Sequence, residues 1–424
     1  MFSNLKTLFK PANKDLRKRL YFTLFILTIF KIGTSIKVPG TQGVEGLGFL
    51  ELLNAMSGGA LERFSIFALG VMPYITASII IQLMQNDIVP YIAELAKQGE
   101  VGRRKINVIT RYMGILFAFI QGYMFSYAFV GKETAIIDHL LIAVVLTAGT
   151  ALLLWLGDQI TQKGIGNGLS MIIMAGIISN LPSMLNTTWT TLVKAGSIQT
   201  QFLGIVQVIM LLLIYIIIIV GVIYVQKAER RIPIQYSNKT SSSYGAKQTY
   251  MPLKLNSANV VPVIFASALL SIPSTLGYFI KSKGFQTFVS NYLTYDRLVG
   301  FIIYIILIIF FSYFYTFLVI KPKELSDNLQ KNAGYIPGIR PGSDTVNYVT
   351  KILSRLTIIG ALFLAILAGL PIIFNRLTNL PQNVIIGGTG ILIIVGVALE
   401  TYNQLESSLV SRNYQGGARK RRNR

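Results

Sequence analysis

Apolar runs close to the twenty residues a bilayer demands recur along the chain at 20–36, 64–84, 106–130, 140–156, 202–225, 260–280, 298–320, 352–374 and 384–399. A shorter run at 169–185 has the length of a re-entrant piece or a short crossing. Counting it makes ten crossings and returns both basic termini to one side. The run at 64–84 differs from the others at its start. It continues without a linker from a glycine-rich amphipathic piece, so that 57–84 reads SGGALERFSIFALGVMPYITASIIIQLM, with Glu62 and Arg63 at the join. Irregular, polar backbone is too costly in hydrocarbon, so a short polar half-helix at membrane depth implies an enclosed aqueous space. The pattern predicts a channel or a transporter.

Composition supports that reading. Of 424 residues 52% are hydrophobic and 13% charged, and the mean hydropathy is +0.57, values of a polytopic membrane protein. A net charge of +22 raises the question of nucleic acid, which the placement of the charge answers. Lys6, Lys10, Lys14, Arg17, Lys18 and Arg19 precede the first run, and Lys97, Arg103, Arg104 and Lys105 follow the second. Lys227, Arg230, Arg231, Lys239, Lys247 and Lys254 follow the sixth, Lys321, Lys323, Lys331 and Arg340 the eighth, and Arg412, Arg419, Lys420, Arg421, Arg422 and Arg424 end the chain. The alternate connections are poorer in Lys and Arg. Such segregation is the cytoplasmic-face signature, so both termini and the two long loops are expected in the cytoplasm. The first run lacks a small-residue cleavage site and leads into Lys37-Val38-Pro39-Gly40, which reads as a retained span.

Several chemistries drop out. Cysteine is absent and His139 is the single histidine, which leaves no disulfide, thiol nucleophile, iron–sulfur ligation or multi-histidine metal site. His139 is expected at an interface beside Asp138, a pair without an accompanying nucleophile. KGIGNG at 163–168 resembles a phosphate cradle only superficially, because no GxxxxGK[ST] pattern occurs; its glycines suit a sharp turn into the next span. Asp158, Glu400 and Glu406 lie near run boundaries and Glu51 and Glu62 in the half-helix region, so no mid-membrane carboxylate suggests an ion relay. Lys31, near the outer end of the first run, can snorkel.

A series of motifs runs through the chain in order: Ile32-Gly33-Thr34 to Val38-Pro39-Gly40; SGGALERFSIFALGVMPYITASIIIQL at 57–83; GEVGRRK at 99–105; KGIGNG; Pro252-Leu253-Lys254 with VPVIFAS at 261–267; Asn328-Leu329-Gln330-Lys331 with YIPGIRPG at 335–342; GGTG at 387–390; and Gln404-Leu405-Glu406. In these the chain resembles the SecY family, the channel-forming subunits of the bacterial Sec protein translocase, nearly from end to end. The resemblance implies an all-α polytopic membrane protein with ten transmembrane helices in two pseudo-symmetric inverted halves around an hourglass pore, closed by a half-helix plug at about Glu51 to Arg63.

By that resemblance 1–19 is a cytoplasmic segment and 20–185 the first half. An external connection at 186–201 leads to the second half at 202–402, with cytoplasmic loops at about 227–256 and 321–351, and 403–424 is a basic cytoplasmic tail. Carried over position by position, the pore ring is Val71, Ile75, Leu169, Ile173, Ile264 and Ile393, and the plug includes Ser57, Gly58, Gly59, Ala60, Leu61, Glu62 and Arg63. Val71 with Ile75 and Leu169 with Ile173 are i,i+4 pairs, so each pair shares one helix face. Helices two, three, seven and eight would form a lateral gate through which apolar segments partition into lipid.

The implied pore is passive and not an enzyme, and no cofactor is called for. Its partners would be the subunits SecE and SecG, the SecA ATPase, the ribosome, signal peptides, nascent chains and anionic lipids. Arg230, Arg231 and Arg340 would be the motor and ribosome docking residues. The location implied is the bacterial cytoplasmic membrane. Departures from the family are small: Lys37 where proline is common, Gly390 where serine is frequent, and Ser241-Ser242-Ser243 in the first long loop. An accessory paralogue for specialised substrates and a secondary transporter with inverted repeats are the alternative readings.

Overall fold

The computed structural model describes residues 14–41, 51–85, 89–130, 135–194, 198–236, 249–277, 282–294, 297–378 and 390–409. Lys239, Lys247, Ser241–Ser243, the first three residues of GGTG and the tail from 410 onward lie outside them. The described chain is mostly helical: α1 (Lys14–Gly33), α2 (Glu51–Met56), α3 (Met72–Met84), α4 (Pro90–Lys97), α5 (Gly99–Phe129), α6 (Ile136–Lys163), α7 (Gly168–Trp189), α8 (Ile198–Lys227), α9 (Val261–Gly277), α10 (Lys283–Phe288), α11 (Leu298–Val319), α12 (Pro322–Lys331), α13 (Ser343–Thr378) and α14 at 390–409. Among the described residues six helices are long and apolar enough to cross a membrane, lying in α5, α6, α7, α8, α11 and α13, with α3 and α9 as shorter apolar helices. Their outward faces carry large apolar side chains, for instance Leu203, Ile209, Leu213, Ile216 and Val220 on α8. An apolar face without a protein partner in a chain of this composition is a lipid-facing one.

Two sequence expectations change. The run at 64–84 is not one helix, because α3 starts only at Met72, with Pro73 in its first turn, where proline's fixed φ favours helix initiation and its missing N–H costs nothing. The expected half-helix is helical only at Glu51–Met56 and continues as successive turns, because Gly58 and Gly59 sit at φ of 76° and 80°, outside the helical region. The fold also contains a small sheet that apolar periodicity does not announce. Strand β1 (Glu229–Tyr236) pairs antiparallel with β2 (Thr249–Lys254) and with β3 (Gly334–Tyr335), giving the order β2-β1-β3.

Packing groups the helices. α1 contacts α6 and α7, α3 contacts α5, α5 contacts α6, and α6 contacts α7; separately, α9 contacts α11, α11 contacts α13, and α8 contacts α13. Among the described residues these sets meet at two seams, besides other contacts. One is α3 against α9. The other is α7 along α14: a Cβ at Gly390 would lie 2.7 Å from Ile177 Cγ2, and Thr401 Oγ1 is 3.5 Å from Met171 Sδ. A single large apolar cluster spans both sets, from Ile26 on α1 to Val397 on α14.

The KGIGNG turn connects three helices through its backbone. Ile165 N–H donates to Thr23 Oγ1 on α1 (3.1 Å), Gly166 N–H to Gln404 Oε1 on α14 (3.0 Å), and Gly168 N–H to Thr161 Oγ1 on α6 (2.9 Å). Asn167 caps α7 by accepting from Ser170 N–H. The expected tight turn is present, and its free donors tie the neighbouring helices together.

Candidate functional site

The six aliphatic residues singled out by resemblance come from four helices and join one apolar cluster. Val71 precedes α3 and Ile75 lies on it; Ile173 is on α7, Ile264 on α9 and Ile393 on α14, and all five are buried. Leu169 is partly buried against the same cluster, with its Cδ2 2.7 Å from where a Cβ at Gly157 of α6 would stand. Aliphatic side chains offer no hydrogen bond to water, which is the condition for exclusion by dewetting.

The segment 54–71 contributes Met56, Ala60, Leu61, Phe64, Phe67, Ala68 and Leu69 to the same large cluster. Asn54 organises its fold: Gly59 N–H donates to Asn54 O (2.8 Å), Ser57 Oγ to the same carbonyl (3.1 Å), Glu62 N–H to Asn54 Oδ1 (3.0 Å), and Asn54 Nδ2 to Glu62 Oε2 (3.2 Å). Ser57, Gly58, Gly59, Ala60 and Leu61 are buried, while Glu62 and Arg63 are exposed at one end. Apposition to α7 is by backbone. A Cβ on Gly176 would run into Met56 O, and one on Gly58 would stand 3.0 Å from Ser179 Oγ and 3.3 Å from Gly176 Cα. Only glycine on both sides permits this approach.

A second tie holds the far end. Val38 N–H donates to Phe64 O (3.0 Å) and Ile66 N–H to Ile36 O (3.0 Å), a bridge between Lys37 and Ser65. Phe64 is fully buried at φ 47°, a conformation that costs a non-glycine residue about 1–3 kcal/mol and persists only where the surroundings impose it. Its ring meets Phe129 edge-on at 6.3 Å, and Phe67 stacks on Phe30 at 6.0 Å. The polar segment is therefore seated among apolar helices by its own internal hydrogen bonds, which is how irregular backbone survives away from water.

The basic loops form one platform. Ile232, Leu253, Ile336, Val349, Ile352 and Leu353 make a separate small core beneath the sheet, rooted on the start of α13. Arg230 and Arg231 stand opposite Leu253 and Pro252 on adjacent positions of β1, so their side chains leave by opposite faces. Arg231 Nε binds Glu229 Oε1 at 2.8 Å and its guanidinium lies 4.7 Å from the Tyr250 ring centroid. The Glu229 hydrogen bond, followed by Tyr250 and the Glu229 charge, raises the Arg231 pKa above its ordinary value. Arg340 is exposed on the 336–342 turn, held by Ile339 N–H to Ile336 O (3.1 Å), Thr345 Oγ1 to Arg340 O (2.9 Å) and Ser326 Oγ to Gly342 O (3.1 Å). Tyr335 OH to Gln235 Oε1 (2.9 Å) and the Gln235–Tyr335 pairing join the two loops.

Other candidates resolve simply. His139 is 2% exposed, with Nδ1 2.8 Å from Ser126 Oγ and the Tyr123 and Tyr127 rings beside it, a packed position between α5 and α6. Asp138, beside it in sequence, is exposed. Among the described residues no cluster of three His, Asp or Glu offers a metal site. Sequence reasoning passed over Arg111. It lies on α5 and pairs with Asp158 of α6, and a charged residue inside an apolar run was the signal that could have found it.

Comparison with known proteins identifies the family. The family model named SecY matches residues 65–402. The protein translocase subunit SecY of Staphylococcus epidermidis is 49% identical over 421 residues, covering 96% of this chain and 97% of that protein. Among solved structures, a protein-conducting channel matches with a TM-score of 0.66 at 19% identity, with 93% of each chain covered. A SecY structure in which the plug domain is said to stabilise the closed state of the translocation channel and maintain a membrane seal matches with a TM-score of 0.64, also at 19% identity and with 93% of each chain covered. Likeness at that identity speaks to the fold. Identity of 49% over nearly the whole length speaks to descent, and the chain belongs to the SecY family.

Proposed function

We propose that this membrane protein is the channel-forming subunit of a bacterial protein translocase. It would carry unfolded preproteins across the cytoplasmic membrane and release apolar segments sideways into lipid. The observation that carries this reading is the joint burial of Val71, Ile75, Ile173, Ile264 and Ile393, from four helices, beside a self-hydrogen-bonded segment, in a chain 49% identical to a protein translocase subunit. The ten-crossing arrangement has α1, α3, α5, α6 and α7 as one half and α8, α9, α11, α13 and α14 as the other, with both termini cytoplasmic. The two contact sets and their two seams support it.

In this reading the six aliphatic side chains form the waist of an hourglass. Without fixed charge they hold back water and ions when closed and deform around an extended chain when open. Residues 57–63 stopper the waist. The α3–α9 seam is the lateral gate, because it joins the two sets through helices that both contribute buried aliphatic residues to the large apolar cluster. A segment of about twenty apolar residues gains free energy by leaving through it, whereas a charged segment does not.

The driving force is external. SecA or the ribosome would dock on the platform through Arg230, Arg231 and Arg340, SecE and SecG would brace the halves, and anionic lipid would meet the basic loops. The test is reconstitution with SecE and SecA in vesicles: ATP-dependent entry of a preprotein is expected, and failure of entry with an active SecA removes the reading. Cysteine pairs placed across the α3–α9 seam of this cysteine-free chain should stop export when crosslinked; export undiminished after complete crosslinking counts against the gate.

Arg340 gives a sharper prediction for docking. Its guanidinium is presented on a turn fixed by three hydrogen bonds, so Arg340→Glu reverses one charge without disturbing the core. SecA-driven export should fall by about tenfold or more, as expected for losing a charged contact at a docking centre, while the amount of protein in the membrane stays constant. Normal export by the variant would remove Arg340 from the interface.

A further inference from the structure

We infer that the Arg111–Asp158 ion pair is a positioning element for the constriction, acting through Tyr74 on the helix that carries Ile75. This inference rests on the ring reading above. Arg111 stands in the apolar run at 106–130, five residues past its start, with its side chain 48% exposed and that of Asp158 30% exposed. Asp158 is on α6, and the Arg111 guanidinium bonds its Oδ2. Charges within apolar spans are expensive and are kept where they serve a purpose.

The pair is not isolated. Tyr74 of α3 is close enough to both charges to interact electrostatically with each. One turn beyond Arg111, a Cβ on Gly114 would stand 3.2 Å from Tyr74 Cα, so α5 presses on the α3 backbone at this residue. Tyr74 immediately precedes Ile75 and follows Val71 by three positions. Contact therefore runs from α6 through α5 to the turn of α3 from which two constriction residues project. The pair ties α5 to α6, and Gly114, one turn along α5, carries that placement to the α3 backbone. The α5–α6 hairpin becomes a rigid buttress behind one side of the waist.

The experiment compares purified complexes in planar bilayers and in export assays. Asp158→Asn and Arg111→Gln should raise resting ion conductance about tenfold, the scale of a typical coupling between sites, and should allow export of a preprotein with a defective signal. The exchange Arg111→Asp with Asp158→Arg should restore tightness. Gly114→Ala, which keeps both charges but pushes on Tyr74, should leak likewise. Ile75→Asn serves as the control for the ring itself: if it stays tight, the ring reading fails. If Ile75→Asn leaks while the Asp158 and Gly114 variants, at normal membrane levels, remain tight and signal-selective, the positioning role is overturned. Leak in the single variants that the exchange does not rescue also overturns it, since the pairing would then not be what matters.

Discussion

Replacing Ile173 with asparagine, alone or with Ile393, should make the resting channel conduct ions and accept preproteins with poor signals. Ile173 is 4% exposed and Ile393 2%, both within the aliphatic cluster. An amide there has no partner while the waist is closed, which costs about 1–3 kcal/mol. In the open state the same amide meets water or the passing chain, so the cost falls on the closed state alone. The closed-to-open ratio should drop by about five- to 150-fold, and more for the double variant if the two sites are independent. Single-channel recording reads the leak directly. Replacement by leucine or valine, which preserves the aliphatic surface, should leave the channel tight. A tight Ile173→Asn channel at normal abundance would mean that this residue packs the bundle without lining the waist.

Gly176→Ala should have a comparable effect from the opposite side of the same contact. The added methyl group cannot coexist with Met56 O, and a backbone carbonyl has no rotamer by which to yield. Either α7 or the 54–63 segment must move, at a cost of about 1–3 kcal/mol for overpacking. The segment is the more compliant partner, since α7 is held along its length by α6 and α14. The stopper should therefore loosen, with raised resting conductance and faster proteolysis near Gly58 and Gly59. Deleting residues 57–61 should abolish the difference between glycine and alanine at 176. Persistence of that difference after the deletion would show that alanine acts on helix packing and not through the stopper.

Much of this protein was readable from residue order, and the reasons are physical. A bilayer enforces long apolar runs, so α5, α6, α8, α11 and α13 stand out by length and composition alone. Loop charge likewise reads directly, because Lys and Arg placement is a topology signal that needs no tertiary contact. Boundaries were less legible. The start of α3 at Met72 and the turns before it depend on hydrogen bonds to 36–38 and on Gly58 and Gly59 reaching positive φ, neither of which changes apolar periodicity. The sheet escaped notice because its strands are short, and β3 contributes only two residues whose partner lies 100 positions away.

At the candidate site, spacing placed Leu169 with Ile173 on one helix, whereas Val71, expected to share a helix face with Ile75, stands just before the start of α3, and resemblance supplied their role. That residues from α3, α7, α9 and α14 meet in one cluster is a property of packing, since hydrophobic burial has no direction and many arrangements of the same runs would satisfy it. The same holds for the KGIGNG turn, which reads locally as a glycine bend but whose exposed N–H groups find acceptors on α1, α6 and α14. Asp158 reads as a residue near a run boundary, and its pairing with Arg111 of the adjoining helix is decided by packing. Residue order thus shows which stretches are long and apolar enough to cross a membrane, because that depends on additive transfer free energies. Which side chains face one another across the bundle depends on the close approach of backbones at particular glycines, and that is decided only when the helices dock.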